Sequence, residues 1–234
     1  MSLYITRNTI GDVHERVVSH IRRHGDKILT ENNELTLEIR NVDLTVASPF
    51  DEPRISPSCF MGKMGFDEYA KALVFGYKPG TNFEYDYHTR LRAWGSGKQE
   101  DGVVTYKGNN PSNIFYKDGT TDQIDYIIKK LKENTTSRRA IATTWIAPID
   151  ENRVDVPCLQ LVQCLIRNGK LEMFVVFRSE DMLSGFGQNA YGLTALQKYI
   201  ADDIGIGVGP YHHYVISAHI YHVRDSHELG RFPE

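Results

Sequence analysis

Two β-rich runs joined by a tight turn constrain this chain more than any other feature of its sequence. Leu159–Arg167 and Lys170–Arg178 are separated only by an Asn-Gly dipeptide at 168–169. That dipeptide favours the type I′ turn that closes two-residue hairpins. The turn fixes the register, so residue 167 faces 170, 161 faces 176 and 158 faces 179. The sequence therefore predicts an antiparallel hairpin with a known pairing from end to end.

The register places a thiol near a cation. Cys158 is predicted to lie opposite Ser179, and it meets Arg178 only if the strand end twists or bulges, because strict alternation turns Arg178 to the other face. A guanidinium stabilises a thiolate, which is the nucleophilic form of cysteine. The alternative is that Cys158 is a small core residue, as Cys164 is predicted to be. Pro157 and the polar run 178–181 favour the reactive interpretation.

Other patterns predict the elements around the hairpin. Apolar spacing and capping residues predict helices at Asp12–His24, around Asp67–Phe75, from Thr120 onward and at Asn189–Ile204. Alternation predicts strands at 34–46 and His213–Val223, the first with a bulge near Arg40–Asn41 that restores one core face. A turn is predicted at 78–82 and an exposed loop at 95–108.

Composition excludes several classes of protein. The 234 residues include 27 Lys+Arg against 30 Asp+Glu, and a net charge of −3 argues against a general nucleic-acid coat. Three cysteines are too few for a disulfide framework, and neither a signal peptide nor a membrane-length apolar run is found, so a cytoplasmic protein is expected. No metal site is predicted, since the histidines at 212, 213, 219 and 222 lack ligand spacing.

Several ordered segments resemble thymidylate synthase, most closely its short methanogen-type archaeal branch. They are SRRA at 137–140, PC at 157–158 with Gln163 beyond it, RSEDMLSGFGQN at 178–189 and AHIY at 218–221, with YHTRLRAW at 87–94 as a looser match. The resemblance covers the C-terminal half well and the N-terminal half poorly. Five motifs in the same order are far more specific than any one of them.

The resemblance implies a reaction at a pyrimidine ring. Attack of Cys158 at C6 would turn C5 into a nucleophile for a one-carbon unit from a reduced pterin, converting dUMP to dTMP. The cosubstrate would be 5,10-methylene-tetrahydrofolate or methylene-tetrahydromethanopterin, without a metal. Tyr87 would help to remove the C5 proton, Asp181 would help to fix the ring, and Glu68 is matched to the glutamate that orders the catalytic water. Asn189 would hydrogen-bond the N3/O4 edge and so select uracil over cytosine.

The remaining implied residues hold the rest of the nucleotide. The 5′-phosphate would be bound by Arg178, Ser179 and, from the other subunit, Arg138 and Arg139. His219 and Tyr221 would bind the 3′-hydroxyl, and Gln163 is also assigned to the substrate. Structural alternatives stay open: Arg178 and Asp181 as an ion pair, Asn189 as a helix N-cap, Tyr221 as strand packing and Arg138-Arg139 as a solvated helix end.

The chain departs from the family pattern in ways that affect the product. The Gly-rich phosphate loop has no counterpart, and Lys27 is a candidate replacement. Leu159 and Ile146 stand where His and Asn are usual. If water reaches the exocyclic methylene, the product is hydroxymethyl, so a hydroxymethylase acting on CMP, dCMP or dUMP is the alternative function. A non-catalytic nucleotide- or RNA-binding relative is the third hypothesis.

The resemblance also implies the architecture. We expect one domain over residues 1–234, with an α+β fold in which helices pack on one side of a mixed, mainly antiparallel sheet. The other sheet face would form a homodimer interface, through which Arg138 and Arg139 complete the partner's site.

Overall fold

The computed structural model describes residues 2–76, 85–94, 96–99, 102–105 and 121–234. The helices are α1 (Ile10–His24), α2 (Lys63–Phe75), α3 (Tyr87–Arg92), α4 (Gln123–Glu133), α5 (Ala147–Asp150), α6 (Phe186–Ile204) and α7 (Ser226–Leu229). The strands are β1 (Leu3–Arg7), β2 (Asp26–Leu29), β3 (Leu35–Val46), β4 (Ser96–Gln99), β5 (Gly102–Thr105), β6 (Ile141–Thr143), β7 (Leu159–Arg167), β8 (Lys170–Asp181) and β9 (Gly207–Ile220).

One large mixed sheet organises the chain. Its order is β1-β3-β9-β8-β7-β6, with β2 also paired to β3. Four of its pairings are antiparallel, whereas β1 with β3 and β8 with β9 are parallel. Helix α1 packs against β3, and α6 packs against β8 and β9. The predicted α+β class, with helices on one side of a mainly antiparallel sheet, is confirmed.

Most predicted elements are present, with shifted ends. Helix α1 begins at Ile10 because the Thr9 side chain, not that of Asp12, caps it by accepting the Asp12 amide at 3.2 Å. Helix α6 begins three residues before Asn189, and β9 ends before Val223. Part of the loop predicted at 95–108 was wrong, because β4 and β5 pair there. The turn predicted at 78–82 lies outside the described residues.

Three adjacent strands change phase at the same level of the sheet. In β3, Ile39 and Val42 are both buried while the two residues between them are exposed, and Asn41 has a φ of 61°. The predicted change of phase is present, but it is not a bulge, because β3 and β9 keep one register across it. The same two-residue interruption separates Phe177 from Glu180 in β8 and Val215 from Ala218 in β9, at paired register positions. Beyond this level, each of the three strands turns a new set of side chains toward the core.

A buried ion pair joins α3 to the segment before β7. Arg90 donates two hydrogen bonds to Asp150, at 2.6 and 2.9 Å, and both side chains are almost fully buried. Asp150 also accepts the Ile146 amide at 2.7 Å, and Arg90 donates to the Thr144 carbonyl at 3.2 Å. The pair is bidentate and its remaining polar atoms are bonded, which is the arrangement that tolerates burial. It fixes α3, which carries Tyr87.

Removing one partner of this pair should destabilise the fold strongly. Asp150→Ala leaves a buried guanidinium without its carboxylate, and we expect the free energy of unfolding to fall by about 3–5 kcal/mol. Urea denaturation followed by circular dichroism measures the change. The matched control is Asp202→Ala, which breaks an exposed pair with Lys198 and should change stability little. Equal stabilities for the two variants would contradict the structural role of the buried pair.

Candidate functional site

A bulge at the end of the hairpin brings Cys158 opposite Arg178. The register slips by one residue between Leu159 and Leu161, as the meeting of thiol and guanidinium required. The Arg178 amide donates to the Cys158 carbonyl at 2.9 Å. Its guanidinium donates to the carbonyls of Pro157, at 3.0 Å, and Val156, at 2.9 Å. Arg178 thus clamps the chain that carries the thiol.

The thiol of Cys158 is partly buried and starts in a protonated state. Burial raises its pKa above the usual value, and the Arg178 charge and a hydrogen bond from Tyr85 act in the opposite direction. The sequence predicts that the cation favours the thiolate, and its effect has that sign, but desolvation outweighs it. Cys164 is fully buried and belongs to the core, as predicted, and burial raises its pKa to about 12.

Two tyrosines lie beside the nucleophile candidate. The Tyr87 hydroxyl accepts the Leu159 amide at 3.2 Å, and burial raises its pKa well above the usual value. Tyr85 is hydrogen-bonded to Cys158, and burial raises its pKa to about 12. Both phenols therefore stay protonated near neutral pH and can donate protons. The sequence predicted Tyr87 at the site but missed Tyr85, which lies two residues before the start of the segment YHTRLRAW.

Asn189 lies in the first turn of α6, so it is not the N-cap. Its Nδ2 donates to Glu180 at 2.7 Å, and its Oδ1 accepts the Tyr69 hydroxyl at 2.5 Å. Glu68 was matched to this region, but its side chain lies on the exposed face of α2, and the neighbouring Tyr69 faces Asn189 instead. One position on a helix turns a side chain by about 100°. The structure thus does not bring Glu68 to the site.

A buried polar chain continues from Asn189 into the core. Glu180 lies 2.6 Å from His213 Nε2, and His213 Nδ1 lies 2.8 Å from the Tyr211 hydroxyl. Glu180, His213 and Tyr211 are at most 3% exposed. Sequence reasoning missed this chain because Glu180 turns inward only through the phase change in β8. The change of apolar phase that the sequence shows in β3 is the signal that could have revealed it.

A second polar group lies at the same end of the sheet. Ser179 Oγ is 3.4 Å from His219 Nδ1, and the rings of His219 and Tyr221 meet edge to face. Asp181 accepts the amides of Leu183 and Ser184, at 3.0 and 3.3 Å. These contacts place four predicted site residues together: Ser179, Asp181, His219 and Tyr221.

Arg224 joins this group, and the sequence did not single it out. Its guanidinium lies 3.8 Å above the Tyr221 ring and within 3.5 Å of Asp181 and Glu34. The cation beside Asp181 is therefore Arg224, whereas Arg178 binds backbone carbonyls. Glu34 lies between β2 and β3. Lys27, the candidate replacement for the Gly-rich phosphate loop, is exposed in β2.

Arg138 and Arg139 lie far from Cys158 within one chain. Ala140 pairs with Cys164, six residues along β7 from Cys158, which is a separation of roughly 20 Å. Both arginine side chains are exposed. The backbone between them is fixed, because Gln163 donates to the Arg138 carbonyl at 2.9 Å and Tyr126 to the Arg139 carbonyl at 3.0 Å. Gln163 thus holds the arginine loop and does not reach Cys158.

Leu159 and Ile146, the two residues that depart from the family pattern, both lie in the core. Leu159 is fully buried, so its side chain packs in the core and does not replace an imidazole. Ile146 is buried, and its backbone amide donates a hydrogen bond to Asp150.

Within the described ranges no group of three His, Cys, Asp or Glu side chains is placed to hold a metal ion. No helix in those ranges is long and apolar enough to cross a membrane.

Comparison with known proteins gives a consistent result. The thymidylate synthase family model matches residues 63–228. A protein of Methanocaldococcus jannaschii named "Putative thymidylate synthase" is 39% identical over 99% of this chain and 97% of its own length. One of the same name from Methanothermobacter thermautotrophicus is 30% identical over 95% of both chains. "Thymidylate synthase 1" of Bacillus amyloliquefaciens is 31% identical over 74% of this chain and 76% of its own.

The family match spans the bulged hairpin, Tyr87, Asn189 and the polar group around His219, which are the residues that the fold gathers at one end of the sheet. This chain belongs to the thymidylate synthase family.

Proposed function

We propose that this protein transfers a one-carbon unit from a methylene-pterin to C5 of dUMP, giving dTMP, within one domain of residues 1–234 in the cytoplasm. The observation that carries the proposal is the Cys158 thiol held opposite Arg178, with the Tyr85 and Tyr87 hydroxyls bonded beside it. A nucleophile, a cation and two proton donors within one wall of a site are what addition to a pyrimidine ring requires.

The first step is addition of the Cys158 sulfur to C6 of the uracil ring. The Cys158 thiol gives its proton to ordered water as the S–C6 bond forms, and the C5–C6 π electrons move to give an enolate with negative charge on O4. Asn189 lies at the N3/O4 edge and stabilises that charge by donating a hydrogen bond. Because burial raises the thiol pKa, the positive charge of Arg178 is needed beside the sulfur to favour the thiolate during attack.

The later steps use groups already at the site. C5 attacks the methylene carbon, and loss of the C5 proton through Tyr87 to ordered water then breaks the bond between that carbon and the pterin nitrogen. The pterin transfers a hydride to the resulting exocyclic methylene as the S–C6 bond breaks, which releases dTMP, free Cys158 and the oxidised dihydropterin. The cleft of about 240 Å³ that is lined by Phe60, Leu183, Ser184, Arg224, Asp225 and Glu228 adjoins Asp181, which accepts hydrogen bonds from Ser184 and Arg224. We place the pterin at this cleft.

The phosphate site is proposed to be shared between two subunits. Ser179 and Arg178 lie at the site in one chain, whereas Arg138 and Arg139 are exposed roughly 20 Å away. The sheet face opposite the helices carries apolar side chains that are only partly covered, including Phe174, Val176 and Tyr214. A symmetric dimer through this face covers them and brings each arginine pair toward the partner's Cys158.

A covalent complex tests the nucleophile. The protein incubated with 5-fluoro-dUMP and methylene-tetrahydrofolate should gain the mass of both, because fluorine at C5 cannot leave as a proton and the S–C6 bond persists. Cys158→Ala should give no adduct, and the control Cys59→Ala should react as the unchanged protein does. Intact-protein mass spectrometry measures the result. Failure to form an adduct with any pyrimidine nucleotide would instead support a non-catalytic binding protein.

Mixing two inactive variants tests the shared site. Arg138→Ala/Arg139→Ala should lower turnover by about 100-fold through lost charged hydrogen bonds, and Cys158→Ala should be inactive. Random reassortment makes half of the dimers mixed, each with one intact site, so about one quarter of the activity should return. The mixed dimers are made by unfolding and refolding the two variants together, and each variant refolded alone is the control. Absence of any recovery in the mixture would place the arginine pair outside the partner's site.

A hydroxymethylase acting on CMP, dCMP or dUMP is the alternative, and the departure at Leu159 bears on it because this side chain is buried in the core and supplies no imidazole beside Cys158. We expect dTMP, identified by mass spectrometry of the nucleotide after turnover with dUMP and methylene-tetrahydrofolate. A product heavier by one oxygen atom would show that water, and not hydride, captures the methylene.

A further inference from the structure

We infer that Glu180, Tyr69 and His213 lock the side-chain amide of Asn189 in the orientation that accepts uracil, so that Glu180 is a positioning residue for base selection. The inference rests on the proposed function, because it assumes that Asn189 meets the base. It assigns a role to the buried polar chain, which the proposed chemical steps leave unused.

The direction of the amide follows from the chemistry of its partners. Glu180 Oε1 lies 2.7 Å from the terminal amide of Asn189, and an ionised carboxylate only accepts hydrogen bonds. The NH₂ group must therefore face Glu180. The Tyr69 hydroxyl, 2.5 Å from the other side of the amide, then donates to the carbonyl oxygen. The contact with Glu180 sets the orientation of the Asn189 amide, and the contact with Tyr69 is consistent with that orientation.

The groups behind Glu180 keep it in place as an acceptor. His213 Nε2 lies 2.6 Å from its second oxygen, and the Tyr211 hydroxyl lies 2.8 Å from His213 Nδ1. A Tyr211 proton donated to Nδ1 leaves the ring proton on Nε2, where it is donated to Glu180. The imidazole cannot rotate, because it stacks on Phe177 at 4.6 Å and meets Phe186 edge-on at 5.1 Å.

Tyr69 is held with equal precision. A Cβ atom at Gly192, one turn beyond Asn189 in α6, would lie 2.9 Å from the Tyr69 ring. Only glycine leaves room for the ring to lie against α6 and reach Asn189. Both ends of the amide are therefore fixed by buried or tightly packed groups.

The locked amide leaves one hydrogen on its nitrogen and one lone pair on its oxygen. The uracil edge offers an acceptor at O4 and a donor at N3–H, which match that pattern. The cytosine edge offers a donor at N4 and an acceptor at N3, which match only the reversed amide. Reversal would set the amide oxygen against the Glu180 carboxylate, so the protein rejects cytosine through a residue behind the one that contacts the base.

The substitution Glu180→Gln tests this lock. The Gln carbonyl would accept from His213 Nε2, which leaves its NH₂ facing Asn189 and favours the reversed amide. Isothermal titration calorimetry with dUMP and with dCMP measures both dissociation constants. We expect the unchanged protein to prefer dUMP, and the ratio of the two constants to shift by about tenfold or more toward dCMP in Glu180→Gln, since a hydrogen bond to a charged group is replaced.

Two further variants make the result decisive. Glu172→Gln is the matched control: the same substitution in β8, beside His212 at 3.9 Å on the opposite sheet face, should leave the ratio unchanged. Tyr69→Phe removes one neutral hydrogen bond and should reduce the preference for dUMP by about fivefold. This variant tests the lock if Glu180→Gln does not fold.

The outcomes separate this inference from the proposed function. A preference for dUMP that survives in Glu180→Gln, or in Tyr69→Phe where only that variant folds, overturns the lock and leaves the proposed function standing. An unchanged protein that binds neither nucleotide overturns both.

Discussion

The phase change shared by β3, β8 and β9 is the constraint on which the site depends. Without it, strict alternation would point Glu180 away from the core. With it, two consecutive residues of β8 leave the core together, and the next carboxylate enters it. The phase change thus creates the buried acceptor behind Asn189, and the separate register slip in β7 brings Cys158 opposite Arg178.

Local pattern predicted much of the framework because its signals are short-range. The Asn-Gly turn set the register of β7 and β8 correctly as far as Leu161, and the out-of-phase apolar residues of β3 revealed the change of phase at Asn41. The ends of α1 and α6 moved because caps compete: Thr9 accepts the Asp12 amide and extends α1 toward the N-terminus. Such competition is settled by backbone geometry, which the sequence does not show.

The site was harder to predict because its chemistry depends on long-range packing. Tyr69 and Glu68 are equally plausible in the sequence, and only the approach of α2 to Gly192 of α6 decides which one faces Asn189. The thiol pKa has the opposite direction from the prediction because burial is a sum over many neighbours, whereas a nearby Arg178 is a single visible charge.

The loop that carries Arg138 and Arg139 has its carbonyls tied down by Gln163 and Tyr126 while its guanidinium groups extend into solvent. Because the main chain of this loop is already ordered, binding of an anion costs only the conformational entropy of the arginine side chains, and not that of a whole segment. In the proposed dimer, this arrangement would make activity depend on protein concentration: dissociation in dilute solution would remove the arginine pair from the partner's site before any unfolding begins.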